Sequence, residues 1–309
     1  MLRITSQLVI EEAKKRNWKT EVIDTNFNLL RYTSSEGKVY FVKSLMTEYT
    51  SAINVIIANR KNVLYTLARE WDIPVPETEH HTTMLAAKEF LHKYKTVVVK
   101  PEDGAHGNGV TTGISTEDLL EKAINHAHKF SKAVLLQKFV EGDDYRLLFI
   151  GGKLAAAAIR KPAEVTGDGI HTFQELIELE NQNDERGVNY RKRLNLIDIF
   201  AAKLYLGDTI KSVPKNGEVV TVVGTANIGT GGYAIDVTET VPPILLKYAT
   251  VLTQQLGLEN GGVDFLYKDD NHVNLLEINA NPSLGLHAYP FKGSPQPVAS
   301  LFLDWLGSK

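Results

Sequence analysis

Two stretches toward the end of the chain alternate apolar and polar side chains with the period of a β-strand. They are Gly261-Gly-Val-Asp-Phe-Leu-Tyr and Val273-Asn-Leu-Leu-Glu-Ile-Asn-Ala-Asn-Pro. Lys268-Asp-Asp-Asn between them is turn chemistry, so the pattern predicts a hairpin. Alternation puts Glu277, Asn279 and Asn281 on one face and Leu276, Ile278 and Ala280 on the other, as core. Asp264 interrupts the apolar run between Val263 and Phe265, where a carboxylate is costly unless a positive group meets it. A hairpin that sets Asp264 beside Glu277 gathers two carboxylates and an amide oxygen, with no nitrogen or sulfur donor. That set suits Mg²⁺, which completes its shell with water and phosphate, so a nucleotide is expected close by. An edge hairpin with its acids in water has the same pattern, and the hairpin alone leaves both readings open.

Periodicity organises the rest of the chain into alternating helices and short strands. Residues 5–17 read as a helix, followed by strands at 19–24, 28–33 and 38–42. Helices at 51–59 and 63–71 are closed off by Pro74 and Pro76. Thr82 is placed to cap the helix that carries Leu85, Phe90 and Leu91. A buried strand at 96–100, strands at 110–114 and 133–139, and a helix at 116–129 follow. Strands 144–150 and 153–159 form a hairpin through Gly151-Gly, and Thr172-Phe-Gln-Glu is a capping box opening a helix to 181. Further on lie a helix at 197–206, a strand at 218–223, the glycine-rich Asn227-Ile-Gly-Thr-Gly-Gly-Tyr, a helix at 243–256 and a last helix at 297–306. Repeats and low-complexity tracts are absent.

A length of 309 residues implies two or three lobes sharing a cleft. The net charge of −3 exerts no general pull toward nucleic acid or anionic lipid. No apolar run has membrane-spanning length, and the first residues read as an amphipathic helix, not a signal segment. With no cysteine there is neither a disulfide nor a thiol nucleophile, and the expectation is a soluble cytoplasmic protein that binds neither nucleic acid nor membrane. The basic run Arg186…Arg191-Lys-Arg lacks aromatic interleaving beyond Tyr190, and reads as a solvated loop or a lid touching an anionic substrate.

The second informative stretch is Lys100-Pro-Glu-Asp-Gly-Ala-His-Gly-Asn-Gly-Val. Gly104, Gly107 and Gly109 let backbone N–H groups approach a phosphate chain, and Lys100 offers a charge at a strand end. No Lys-Ser/Thr follows the glycines, which excludes a Walker A loop, and the strand after them excludes the dinucleotide fingerprint. Together with the hairpin, this favours an ATP–Mg²⁺ site. These motifs resemble those of the ATP-grasp ligases, within which the chain is most similar to the ligase domain of cyanophycin synthetase and to the glutathione-synthetase module of bifunctional glutathione synthetases. The resemblance covers nearly the whole chain. It is carried by Lys61 ahead of Ile73-Pro-Val-Pro, the 100–110 loop, Glu141-Gly-Asp-Asp-Tyr-Arg, Gly167-Asp-Gly-Ile-His-Thr, Asn227-Ile-Gly-Thr-Gly-Gly and Glu277-Ile-Asn-Ala-Asn-Pro.

The resemblance implies an α/β (α+β) ATP-grasp fold holding the nucleotide between two α+β lobes. The expected divisions are a short N-terminal α/β unit at 1–58, a small lobe with the phosphate flap at 59–138 and a large lobe at 139–309. In the family two lysines grip the phosphates, and Lys61 and Lys100 match them. Gln137-Lys138-Phe139-Val140 matches the hinge whose backbone pairs with adenine, and Asp144 the acid on the ribose hydroxyls. Asp264, Glu277 and Asn279 match the metal ligands, for Mg²⁺ or, alternatively, Mn²⁺. Outside this context Lys61 and Lys138 would be ordinary surface charges. Arg146 and Arg160 sit where they can stabilise a transferred phosphoryl group and an acyl phosphate, although surface ion pairs would suit either equally. His106 in the phosphate loop and His287 beyond the metal strand are candidates for phosphate and substrate contact, or structural histidines. Asn227, Gly229, Gly231 and Gly232 belong to the substrate loop.

The activity implied is ATP-dependent joining of an amino-acid or peptide carboxylate to an amine, through an acyl phosphate. A homo-oligomer is also a family expectation. Asp264→Asn and Glu277→Gln are both expected to abolish turnover without unfolding. The chain departs from its relatives in two ways. Val223 and Gly229 stand where the loop typically has arginine and serine. The further domains of cyanophycin synthetase and of bifunctional glutathione synthetases are missing from the sequence, so a single amide bond is the expected product. An ATP-binding regulatory module and an ATP-grasp kinase remain the competing readings.

Overall fold

The computed structural model describes residues 2–80, 83–102, 109–187 and 194–309. The N-terminal unit opens with helix α1 (Ile4–Lys15), whose Leu8, Val9 and Ala13 are buried on one side. An antiparallel meander follows: β1 (Lys19–Asp24), β2 (Leu29–Thr33), β3 (Val39–Lys43) and the short β4 (Met46–Thr47). β2 and β3 alternate, with Leu30, Tyr32, Tyr40 and Val42 facing inward, while β1 is largely exposed.

Helices α2 (Ala52–Ala58) and α3 (Lys61–Glu70) lead into a small lobe. This comprises β5 (Thr78–His80), α4 (Met84–Tyr94), β6 (Val97–Pro101), β7 (Thr111–Ile114), α5 (Glu117–Ala127) and β8 (Val134–Lys138). Its four strands run antiparallel in the order β5-β8-β6-β7 and share a core with α4 and α5. The cap of α4 is Thr83, which accepts from the Ala86 N–H; the expected cap, Thr82, lies outside the described residues. Thr116 caps α5 in the same way.

The large lobe is built on β9 (Asp143–Ile150) and β10 (Lys153–Lys161). An inserted unit of β11 (Glu164–Thr166), α6 (Phe173–Glu180), α7 (Ile199–Leu206) and β12 (Val219–Thr221) has its own core, and the predicted capping box at Thr172 and Glu175 opens α6. The chain then returns through β13 (Tyr233–Asp236), α8 (Pro243–Gln255), β14 (Gly261–Asp269) and β15 (His272–Asn279), and ends with α9 (Gly285–Ala288) and α10 (Val298–Gly307). Both hairpin strands run further than the pattern suggested, leaving only Asp270 and Asn271 between them.

The central sheet has the order β13-β10-β9-β14-β15, antiparallel throughout. One face is apolar along its length: Tyr145, Leu147, Phe149, Val263, Phe265 and Ile278 pack under α3 and α8. The opposite face is divided. Leu148, Ile150 and Ala156 at one end are covered by α1, α10 and the N-terminal strands. At the other end the same row continues as Asp144 and Arg146 on β9 and Arg160 on β10, beside Asp264 and Glu277. A period of two thus leads from core into a charged cleft. Among the described residues no helix is long and apolar enough to cross a membrane.

Candidate functional site: a charged cleft between the lobes

The hairpin register places Asp264 opposite Glu277 on one side and opposite Arg146 on the other. Asp264 is completely buried, and two guanidinium groups meet it. Arg146 binds it through Nε and through Nη2 at 2.6 Å, and Arg160 Nη2 donates at 2.8 Å. Burial opposes ionisation, but the two arginines outweigh it and hold the carboxyl below its usual range. Arg160 also donates to Asp144 Oδ1, at 2.6 and 3.1 Å. Burial pushes the Asp144 carboxyl up to about 6 against the pull of Arg160. Arg146 is backed by Gly262, where a Cβ would lie 2.9 Å from Arg146 Cδ and 3.0 Å from Pro282 Cβ, so only glycine fits. The two arginines read from sequence as phosphate ligands are, in this structure, partners of the two acids of the same row.

A bulge sits at the hairpin's working end. Asp264 pairs with Glu277 but Phe265 pairs with Leu275, so β15 carries one extra residue. The Leu275 N–H leaves the ladder for the Pro74 carbonyl at 2.8 Å, and the Leu276 carbonyl accepts from the Tyr65 hydroxyl at 2.8 Å. Leu275 therefore takes the fully buried position expected for Leu276, which is only half-buried. Asn281 lies two residues beyond the end of β15. Its Oδ1 accepts from the Leu45 N–H of the N-terminal unit at 3.3 Å, and its own N–H binds Asn279 Oδ1 at 2.9 Å.

Two lysines face this hairpin from outside the sheet. Lys61, the first residue of α3, brings Nζ to 3.6 Å from Glu277 Oε2. Lys100, on β6 of the small lobe, is 7% exposed, and among the described residues no carboxylate lies within ion-pair distance of it. Its Nζ donates to the Tyr65 hydroxyl at 3.3 Å. Burial lowers the ammonium to about 8, although Glu277 pulls the other way. Burying a cation is expensive unless an anion meets it.

The hinge segment is partly committed. Gln137 turns its side chain inward to Tyr65 and Thr78, at 3.1 and 2.9 Å. The N–H groups of Lys138 and Phe139 bind the carbonyls of Glu77 and Thr96. Val140 N–H has no hydrogen-bond partner among the described residues. Lys138 Nζ lies 5.9 Å from the centre of the Tyr94 ring. Gly104, His106 and Gly107 lie outside the described residues. Gly109, at φ +73°, has room for no Cβ, which would meet Pro101 and Phe130 at 2.7 Å.

The glycine-rich loop is organised by Asn227. Its Oδ1 accepts from Gly229 N–H at 2.8 Å, and its carbonyl accepts from Gly232 N–H at 3.1 Å. Arg186, read as part of a solvated basic run, is instead buried. It binds Glu180 at 2.8 Å and the carbonyls of Asn195 and Gly231 at 2.8 and 3.0 Å, so it supports this loop from behind. Residues 191–193 of that run lie outside the described residues. Val223, where relatives typically have arginine, is buried in the core of the inserted unit. His287, on α9, is 1% exposed, and neither ring nitrogen has a hydrogen-bond partner among the described residues. Burial, aided by Arg146, depresses its pKa to about 3 and keeps the imidazole neutral.

The oxygen donors suit a hard divalent ion. Asp264 accepts three N–H groups, which leaves one of a carboxylate's roughly four acceptor positions. Asn279 Oδ1 accepts one N–H, and Glu277 is partly exposed with a single ion pair. Among the described residues no group of three or more His, Cys, Asp or Glu side chains could hold a metal ion.

Residues 57–180 match the ATP-grasp domain family. The glutathione biosynthesis bifunctional protein of Listeria welshimeri is 30% identical over 99% of this chain and 41% of its own length. Cyanophycin synthetase of Trichormus variabilis is 30% identical over 98% of this chain and 35% of its own. The chain thus spans about two fifths or less of these relatives. The crystal structure of a bifunctional glutathione synthetase from Pasteurella multocida superimposes with a TM-score of 0.69 at 25% identity, over 99% of this chain and 43% of that one. The chain carries an ATP-grasp domain in an ATP-grasp fold, and bifunctional glutathione synthetases and cyanophycin synthetases are its homologues.

Proposed function

We propose that the protein is an ATP- and Mg²⁺-dependent carboxylate–amine ligase that joins amino acids or peptides through an acyl phosphate, releasing ADP and phosphate. The observation that carries the reading is Lys100, a buried ammonium without a carboxylate partner among the described residues, held across the cleft from the acid and amide oxygens of β15. Lys100 and Lys61 suit the phosphates of ATP, Val140 N–H suits the base, and Asp144, with Oδ1 on Arg160, offers its other oxygen to the ribose. Mg²⁺ bound by oxygens of Asp264, Glu277 and Asn279 would neutralise triphosphate charge.

A ligase of this kind needs no covalent nucleophile, in keeping with a chain that has no cysteine. The substrate carboxylate attacks the γ-phosphorus and ADP leaves; the amine then displaces phosphate from the acyl carbon. The residues' share is alignment and electrostatics. Arg160 is held by Asp144 and Asp264 with little freedom to reorganise, and Arg146 behind it keeps the row neutral. The Asn227 loop, braced by Arg186, forms the substrate side together with His287, whose ring nitrogens have no hydrogen-bond partner among the described residues.

Hydroxylamine trapping tests the reading. Amino acids and dipeptides are screened with ATP and Mg²⁺, and a hydroxamate is expected with the correct carboxylate. ADP release with a stable phosphorylated product and no hydroxamate would mean a kinase. ATP binding without turnover for any carboxylate–amine pair would mean a regulatory module.

A further inference from the structure

Tyr65 carries none of the sequence motifs, yet its hydroxyl stands where the small lobe, α3 and the hairpin meet. The residue is 1% exposed. Its hydroxyl donates to the Leu276 carbonyl at 2.8 Å and accepts from Lys100 Nζ at 3.3 Å and from Gln137 Nε2 at 3.1 Å. One donor and two acceptor positions are all that a phenol has, and all three are used. Burial pushes the phenol up to about 12, so the proton that reaches Leu276 stays in place. The Tyr65 ring also lies beneath Lys100, with Nζ 5.7 Å from its centre. The ring itself packs in the core under the large sheet, with Leu64 and Ala68, so the hydroxyl is fixed to the large lobe.

The three partners come from different pieces of the molecule. Lys100 and Gln137 belong to two neighbouring strands of the small lobe. Leu276 is the extra residue of the β15 bulge, one position before Glu277. We infer that Tyr65 is a positioning residue for phosphate binding: it holds the Lys100 ammonium at a fixed place relative to Glu277, across the joint between the lobes. The inference rests on the nucleotide reading above. In that reading Lys100 must project from the small lobe toward phosphates whose other contacts lie on the large one. A four-carbon side chain has many rotamers, and Tyr65 selects the one that faces the hairpin.

The test is a double-mutant cycle on the full chain, with Tyr65→Phe, Lys100→Met and both together. Binding of ATP and of AMP is measured by calorimetry in the presence of Mg²⁺. Tyr65→Phe is expected to weaken ATP about tenfold while AMP changes less than twofold. In the Lys100→Met background the same change should leave ATP affinity nearly unaltered, because Tyr65 acts through the lysine. Equal losses for ATP and AMP, or full additivity with Lys100→Met, would assign Tyr65 a merely structural part and overturn the inference. If the phenylalanine chain melts below the assay temperature, p-aminophenylalanine at position 65 replaces it. That side chain still donates to Leu276 but accepts poorly from Lys100, and the same expectations apply. Absence of ATP binding by the unmutated chain would defeat the nucleotide reading and this inference together. Wild-type binding with additive losses would defeat this inference alone.

Discussion

Asparagine at position 264 and glutamine at position 277 remove the same charge from two residues that face each other across the hairpin, yet their consequences should differ sharply. Asp264 is completely buried and receives three N–H groups from Arg146 and Arg160. Its loss leaves Arg146, itself 5% exposed, without a carboxylate partner. Breaking a buried ion pair from one side costs about 3–5 kcal/mol. Unfolding entropy of about 2.1 cal/mol/K per residue gives about 0.65 kcal/mol/K for a chain of this length. Asp264→Asn should therefore lower Tm by roughly 5–8 °C. The side chain of Glu277 is 37% exposed and, among the described residues, makes one ion pair, at 3.6 Å. Glu277→Gln should cost less than about 1 kcal/mol, a shift of roughly 1–2 °C, while ATP turnover is lost.

Scanning calorimetry of the two variants beside the wild type, with ADP release measured below both melting points, decides the matter. The sequence alone leads to the expectation that both variants keep their fold; burial adds a stability cost to that expectation for Asp264. Matched melting temperatures for the two variants would refute the argument that the arginines neutralise Asp264. So would failure of Asp264→Leu combined with Arg146→Met to recover stability, because replacing both members of a buried pair by apolar groups is close to neutral.

Two pH dependences follow from buried bases. Between pH 8 and 10.5 Lys100, lowered to about 8 from 10.5, is deprotonated in the folded chain while the unfolded chain keeps its proton. Stability should thus rise between pH 8 and 10.5 while KM for ATP also rises, as the charge needed for phosphate disappears; a flat KM across that window would count against Lys100 as a phosphate ligand. His287, lowered to about 3, stays neutral in the fold but takes up a proton in the unfolded chain below 6.5. Stability should fall with acidification from pH 6.5, by about 1.4 kcal/mol per unit, and His287→Leu should remove about 2 kcal/mol of the loss at pH 5. Urea melts at pH 7 and pH 5 give the difference, and an unchanged difference in the variant would show that the imidazole is solvated.

What the sequence made legible, and what it concealed, divides along the range of the interactions involved. Side-chain parity along a strand is local, so the pairing of Asp264 with Glu277 could be read from the hairpin and is the observed register. The bulge one residue later could not. Neither Gly nor Pro marks it, and its cause lies some two hundred residues away, where Pro74 takes the Leu275 N–H and Tyr65 takes the Leu276 carbonyl. The need for a positive partner at Asp264 was evident from its apolar neighbours, but its identity depended on β9 lying between β10 and β14, an order that no pattern along one strand encodes. Arg186 shows the same limit from the other side. Its neighbours in sequence are basic and polar, so it reads as solvated, while its neighbours in space are Glu180 and the Gly231 carbonyl. Motifs thus locate the residues proposed to touch ligand, because glycine, lysine and paired acids are chosen for local geometry. The residues that hold those groups in place, Tyr65 and Arg186 among them, are chosen by contacts distant in the chain, and only the fold reveals them.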